Sequence, residues 1–130
     1  MNSAQRNPSD PVDQLISGFD RALKTLTGGR AAQRENPAKQ IQDAELSDVE
    51  KRHVGGLMRV NHTGEVCAQA LYEGQAMTAR DPIAQRSLLD AAAEEQDHLN
   101  WCAQRLEELD AKPSVLDPLF YGASFVLGAG

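Results

Sequence analysis

Apolar residues recur at helical spacing in the first half of this chain, directly after a polar and proline-containing start. We expect the first twelve residues to be disordered. From about residue 13 to 27 the apolar positions fall three or four residues apart and form one stripe, which predicts a short amphipathic helix. Gly28 and Gly29 follow it and favour a helix end. Residues 30–45 form a polar linker. The stripe consists of Leu15, Ile16, Phe19, Leu23 and Leu26.

The strongest periodic pattern covers the middle of the chain and predicts two long helices in a hairpin. Ser47 and Glu50 form a capping box, so a helix is expected to begin there. It is expected to run to about Arg80, because Asp81-Pro82 is both a stop signal and the start of a new helix. The second helix is predicted to end near Leu109.

A last apolar stretch follows Pro113, with Asp117 as the expected N-cap and Pro118 as the first helical residue. A tight antiparallel hairpin buries little surface alone and is usually half of a four-helix bundle. We therefore predict an all-α, ferritin-like helical bundle, present here as a long antiparallel hairpin plus the start of a third bundle helix. The predicted division is an N-terminal segment, 1–45, and a bundle region, 46–130.

Composition supports helices and excludes several classes of protein. The 130 residues are 41% hydrophobic and only 5% aromatic. A net charge of −6 argues against nucleic-acid binding, which needs clustered Lys and Arg. Cys67 and Cys102 lack CxxC spacing and are interpreted as reduced thiols. No secretory signal and no run of 18 apolar residues is present.

Two ionisable residues interrupt the apolar stripe of the second hairpin helix. Glu95 and His98 are three residues apart, so they share a face about 4.5 Å apart along the helix axis. Burying them is costly unless they are paired or bind a metal ion. Glu94 and Asp97 lie off the stripe, as does the Glu107–Glu108 pair, and we expect these to be solvated. The stripe consists of Leu88, Ala91, Ala92, Glu95, His98, Leu99, Cys102, Leu106 and Leu109.

The position of the turn gives this pair a partner on the first hairpin helix. Glu95 lies 14 residues after Asp81, and Glu65 lies 16 residues before it. At 1.5 Å per residue, the two carboxylates differ in height by roughly 3 Å. A Glu opposite a Glu-x-x-His motif is half of the ligand set of a carboxylate-bridged di-iron bundle. A solvated charge run remains the alternative, because Glu-x-x-His also occurs by chance in charged helices.

Two neighbours of Glu65 are assigned weaker roles. His62 lies three residues before Glu65 and competes with it as a ligand, but the bundle pattern needs a carboxylate there. We therefore favour a supporting or packing role for His62. Tyr72, seven residues after Glu65, is expected to pack in the core and is only a weak candidate beside the metal site.

The segments "LMRVNHTGEVCAQALYEGQ", "AAAEEQDHLNWCAQRLEEL" and "KPSVLDPLFYGASFVLGA" closely resemble the demethoxyubiquinone hydroxylase family of ubiquinone biosynthesis, over about residues 47–130. The resemblance implies a ferritin-like, membrane-associated di-iron monooxygenase that hydroxylates a demethoxyubiquinol with O₂. It implies two ferrous ions per complete site, with Glu65 and Glu95 as carboxylate ligands and His98 as a nitrogen ligand. It also implies peripheral attachment to the cytoplasmic face of the cell membrane, with residues 119–127 near the bilayer.

The resemblance also implies a second helical pair beyond residue 130 with another Glu and another Glu-x-x-His, so only three of the six expected ligands are present here. We expect either a truncated chain or two copies that pair to complete the site, and we favour truncation. A homo-oligomer or other ubiquinone-biosynthesis proteins are the expected partners. Two other functions remain open: a ferritin-like iron-binding protein without quinone chemistry, and a non-catalytic helical interaction module.

Overall fold

The computed structural model describes residues 10–28 and 32–130, and within these ranges it contains four helices and no strand. They are α1 (Pro11–Thr27), α2 (Asp48–Thr78), α3 (Pro82–Glu108) and α4 (Asp117–Ala129). The predicted all-α class is confirmed, and the packing of the four helices is consistent with a ferritin-like bundle.

Helix α1 begins earlier than the sequence pattern predicted. The Asp10 side chain accepts a hydrogen bond from the Val12 N–H, and Pro11 occupies the first turn, where its missing N–H costs nothing. The prediction of disorder is therefore wrong for residues 10–12. The other residues that it covered, 1–9, lie outside the described residues. Gly28 ends the helix at φ 69°, a conformation that glycine adopts without strain. Gly29 and residues 30–31 also lie outside the described ranges.

The hairpin of α2 and α3 matches the predicted start and turn signals. The reciprocal hydrogen bonds of the Ser47–Glu50 capping box are both present. Asp81 accepts hydrogen bonds from two N–H groups of the first turn of α3. The prediction that Asp117 caps α4 is wrong: Leu116 is the N-cap, and the Asp117 side chain is directed to α2 instead.

The core lies where the helices converge on α2. Val66 and Ala70 of α2 pack with Leu99 of α3 and Tyr121 of α4, and all four are almost fully buried. Ala22 and Leu26 of α1 and Phe125 of α4 pack around this cluster. The core therefore immobilises α2 and α3 within one turn of Glu65 and of the Glu95–His98 pair.

Helix α4 runs in the same direction as α2 and packs very closely against it. Its first residue contacts residues 62 and 63, whereas its last turns contact Leu71 and Gly74. A Cβ on Gly74 would overlap the carbonyl oxygen of Phe125, and a Cβ on Gly128 would overlap that of Leu71. The two glycines let the helix backbones touch, which fixes α4 against α2.

Much apolar surface remains exposed on α1 and α4, which contact each other. The predicted stripe of α1 largely faces outward, and Leu15 and Phe19 are 72% and 67% exposed. On α4, Leu119, Val126 and Leu127 are similarly exposed. None of the described helices is both long enough and apolar enough to cross a bilayer.

Candidate metal centre

The hairpin brings Glu65, Glu95 and His98 into one cluster. One potential ligand atom from each lies within 4.8 Å of the others. His98 Nδ1 is 3.4 Å from a Glu95 carboxylate oxygen and 3.9 Å from a Glu65 oxygen. The three side chains are partly exposed, at 24% for Glu65, 19% for Glu95 and 40% for His98. They therefore form a group of oxygen and nitrogen donors that solvent can still reach.

The two carboxylates of the cluster disfavour each other's charge. Burial raises the pKa of Glu65, and a hydrogen bond with Glu95 and the charge of Glu95 raise it further, to about 8. Burial and the Glu65 charge also raise the pKa of the Cys102 thiol, one turn beyond His98. The cluster thus concentrates negative charge, and Glu65 is held in its protonated form at neutral pH.

The donor set suits a divalent transition metal ion. First-row ions bind carboxylate oxygen and imidazole nitrogen at about 2.0–2.2 Å, so two ligands of one ion lie up to about 4.4 Å apart. The donor atoms of the cluster already lie within 4.8 Å of one another, so a small rotation of a carboxylate would bring them to this separation. An ion would also supply the positive charge that the carboxylate pair lacks. These residues therefore fit a metal ion, and a mixed carboxylate–imidazole set with open positions suits iron.

The weaker candidates lie elsewhere. His62 is buried, and its Nδ1 lies 3.1 Å from Asp117 Oδ2, while the Thr63 hydroxyl donates to Asp117 Oδ1 at 2.7 Å. Burial lowers the pKa of His62, although Asp117 opposes this shift. His62 thus contacts the start of α4 and is not among the three clustered donors. Tyr72 is half-buried, two turns along α2.

Asp97 was predicted to be solvated, and this prediction is wrong, because it is only 2% exposed. Residues 32–43, which we call the strap, lie across this face of α3. Asp97 accepts hydrogen bonds from the Gln33 N–H at 2.6 Å and from Arg34 Nε at 3.0 Å. Burial opposes ionisation of Asp97, but these hydrogen bonds and the Arg34 charge outweigh it and hold its pKa below the ordinary value. Periodicity could not reveal this contact, because its partners belong to an aperiodic segment.

A second buried carboxylate, Glu73, was also missed by sequence reasoning. It is 3% exposed and accepts hydrogen bonds from Gln69 Nε2 at 3.0 Å and from the Tyr121 hydroxyl at 2.7 Å. The three side chains join α2 to α4 through a polar contact inside the core. The only signal in the sequence was the spacing of Glu65, Gln69 and Glu73, four residues apart on one helix face.

Comparisons with known proteins agree with this arrangement. The profile of "Ubiquinone biosynthesis protein COQ7" matches residues 52–130, which include all three clustered donors. A curated Marinomonas sp. protein named 3-demethoxyubiquinol 3-hydroxylase is 57% identical over 120 residues, covering 92% of this chain and 57% of the relative. Proteins of the same name from Acinetobacter baumannii and Xanthomonas oryzae pv. oryzae are 56% and 53% identical, over 91% and 96% of this chain.

The chain spans only part of these relatives. It covers 57% of the Marinomonas protein, 56% of the Acinetobacter protein and 59% of the Xanthomonas protein. No solved structure matches the chain.

Proposed function

This chain belongs to the COQ7 family of ubiquinone biosynthesis proteins, and we propose that it contributes Glu65, Glu95 and His98 to a di-iron monooxygenase. The proposed reaction is the hydroxylation of a demethoxyubiquinol ring, with O₂ as the proposed oxidant; the matching relatives are named for 3-demethoxyubiquinol 3-hydroxylation. The observation that carries the proposal is the cluster of two carboxylates and one imidazole whose ligand atoms lie within 4.8 Å of one another.

The ligand roles follow from the chemistry of the three side chains. Glu65 and Glu95 are close enough to share an ion, and carboxylates can bind through one or both oxygens. His98 adds a neutral nitrogen donor from the same face of α3. The three side chains are half of the set of four carboxylates and two histidines of di-iron bundles, so the complete site needs donors beyond these three. Two bound ferrous ions supply the capacity to activate O₂.

The remaining task of the chain is to hold the reacting groups in place and handle protons. Glu65 keeps a proton at neutral pH in the metal-free state and must release it to become a ligand. The core residues next in sequence to two of the donors, Val66 and Leu99, are almost fully buried and fix the helix positions there. The partial exposure of the three donors leaves them accessible to small molecules.

Association with a membrane surface is part of the proposal, because a polyprenyl quinol resides in the bilayer. The exposed apolar residues of α1 and α4 support it, since these helices contact each other and can lie together in the interface. We propose a peripheral position on the cytoplasmic face of the cell membrane. Binding to vesicles, with Phe19→Ser and Leu127→Ser as variants, tests this part separately.

The central test is product formation with isotopically labelled O₂. The chain would be joined to the unmatched part of the Marinomonas relative, loaded with ferrous iron, and given a short-tailed demethoxyubiquinol and a reductant. We expect one labelled oxygen in the ring of the product, detected by mass spectrometry. Glu95→Ala and His98→Ala should abolish both iron binding and product, whereas Glu94→Ala, an exposed neighbour, should retain both.

The outcomes separate the alternatives. Iron bound at the cluster without any labelled product would favour a ferritin-like iron protein over the hydroxylase. If the protein bound no iron and Glu95→Ala changed none of its properties, a helical interaction module would be favoured.

A further inference from the structure

The strap is fastened to α3 near both of its ends, and the Asn36 side-chain amide between them donates to Gln104 Oε1 at 3.4 Å. At one end, the Gln33 N–H and Arg34 Nε bind the buried Asp97. At the other end, Asp43 accepts two hydrogen bonds from the Arg105 guanidinium, at 2.7 and 2.9 Å. Because the segment is aperiodic, these contacts and not a helical hydrogen-bond pattern hold it in place.

An open cavity lies beside the strap, and His98 of the candidate metal centre is among its lining residues. The cavity has a volume of about 990 Å³ and lies between the strap and α3. Ala38 and Ile41 line its strap side, Trp101 and Cys102 line its α3 side, and His98 lies at its edge. The strap is therefore a wall of the space beside a metal-ligand candidate.

Three side chains form a series of contacts from the strap to the metal centre, with the Trp101 and His98 ring planes inclined at 43° to each other. The Arg34 guanidinium carbon lies 5.5 Å from the centroid of the Trp101 ring, within the range of a cation–π contact. The Trp101 ring centroid lies 5.4 Å from that of His98. Asp97 fixes Arg34 from the side, so the guanidinium cannot move without breaking an ion pair to a buried carboxylate.

We infer that Arg34 is a positioning residue for His98. It presses the Trp101 indole against the imidazole, and so limits the rotation of a ligand side chain that is otherwise 40% exposed. The inference rests on the proposed function, because it takes Glu65, Glu95 and His98 as metal ligands. It goes beyond that function by assigning the aperiodic N-terminal strap a role at the metal site.

The expected effect is a weaker and less ordered metal site. Removing groups that orient a ligating histidine typically weakens metal binding by 10–100-fold. Arg34→Gln should therefore raise the dissociation constant for Co²⁺ about tenfold. Arg34→Lys keeps a cation above the indole but loses the planar guanidinium, so it should restore part of the affinity. Lys39→Gln is the matched control, since Lys39 is an exposed strap cation that forms an ion pair with Glu35 of the strap.

Two spectroscopic readouts distinguish positioning from a general structural role. The visible absorption of bound Co²⁺ reports ligand geometry, and it should change in Arg34→Gln but not in Lys39→Gln. Trp101 is the only tryptophan of the chain, so intrinsic fluorescence reports directly on the contacts of the indole with Arg34 and His98. Circular dichroism and thermal unfolding would establish that each variant is folded.

A double-mutant cycle makes the test decisive. If Arg34 acts through the indole, Arg34→Gln should weaken Co²⁺ binding in the wild type but have no further effect in Trp101→Leu. Equal effects in both backgrounds would overturn the inference. A second result would also overturn it: Arg34→Gln keeps the wild-type Co²⁺ affinity and spectrum, while its fluorescence shows that the surroundings of the Trp101 indole have changed.

The same experiment separates this inference from the proposed function. A wild-type chain that binds no Co²⁺ at the cluster would overturn the inference, whereas the proposed function is decided by iron binding and product formation in the fused protein. Normal Co²⁺ binding with no effect of Arg34→Gln would overturn the inference alone. An Arg34 effect on Co²⁺ combined with no hydroxylated product would leave the inference standing and overturn only the proposed function.

Discussion

Metal binding by this chain should be coupled to the release of a proton from Glu65. Burial, together with the adjacent Glu95, raises the Glu65 pKa from 4.5 to about 8. At pH 7 about nine tenths of the Glu65 carboxyl groups therefore carry a proton, and a metal ion must displace it. The expected consequence is that Co²⁺ binds about eightfold more tightly at pH 8.5 than at pH 7, because the competing proton is largely lost over this interval.

The same shift determines how the metal-free chain responds to pH. A carboxyl group whose pKa is higher in the folded state binds its proton more tightly there than in the unfolded state. Its contribution to the free energy of unfolding is fully present below pH 4.5 and is lost as the pH rises to about 8. The metal-free wild type should therefore lose stability relative to Glu65→Gln across this interval, and bound metal should remove the difference.

Isothermal titration calorimetry in buffers of different ionisation enthalpy measures the number of protons released. Chelator-buffered Co²⁺ titrations measure the dissociation constants. Glu65→Gln should bind Co²⁺ weakly and with a smaller pH dependence, whereas Glu94→Gln should match the wild type. Release of no proton at pH 7, with a dissociation constant unchanged up to pH 8.5, would refute the reasoning, because Glu65 would then already be ionised beside Glu95.

Three further predictions concern the free energy of unfolding, measured by urea denaturation. Gly74→Ala should lower it by about 1–3 kcal/mol, because the added Cβ overlaps the backbone of α4. The Cβ of Gly64→Ala has no neighbouring atom within 4 Å, so this variant should raise it by up to about 1 kcal/mol through its higher helix propensity. Asp117→Ala should lower it by about 1–3 kcal/mol, because a buried imidazole and a hydroxyl lose their acceptor. Leu99→Ala, at 2% exposure, should cost about 2–5 kcal/mol, and Leu127→Ala, at 76% exposure, less than about 0.5 kcal/mol.

The parts of the structure that sequence reasoning anticipated are those governed by local chemistry. The capping box at Ser47 and the Asp81-Pro82 turn are set by residues adjacent in sequence, and both occur as predicted. The level of Glu65 opposite the Glu95–His98 pair follows from the turn and the helical rise alone. These features need no knowledge of distant contacts.

The parts that sequence reasoning missed depend on contacts between distant segments. Asp97 lies off the apolar stripe of α3, yet it is buried by residues 63 and 64 positions away. Asp117 has the sequence context of an N-cap, but a buried histidine of α2 competes for its carboxylate. In both cases the partner lies outside the periodic pattern in which the residue was interpreted.

The carboxylates on the two sides of α3 differ in what balances their negative charge. Asp97 is the more buried, yet its pKa is lowered, because Arg34 and a backbone N–H of the strap stabilise its charge. Glu65 is only partly buried, and its pKa is raised first by that burial and then by the hydrogen bond with Glu95 and the charge of Glu95. Burial raises the pKa of both carboxyl groups, so the opposite direction at Asp97 arises from its partners. The protein supplies its own cation to Asp97, whereas charge at the Glu65–Glu95 pair is best balanced by a cation from outside the chain.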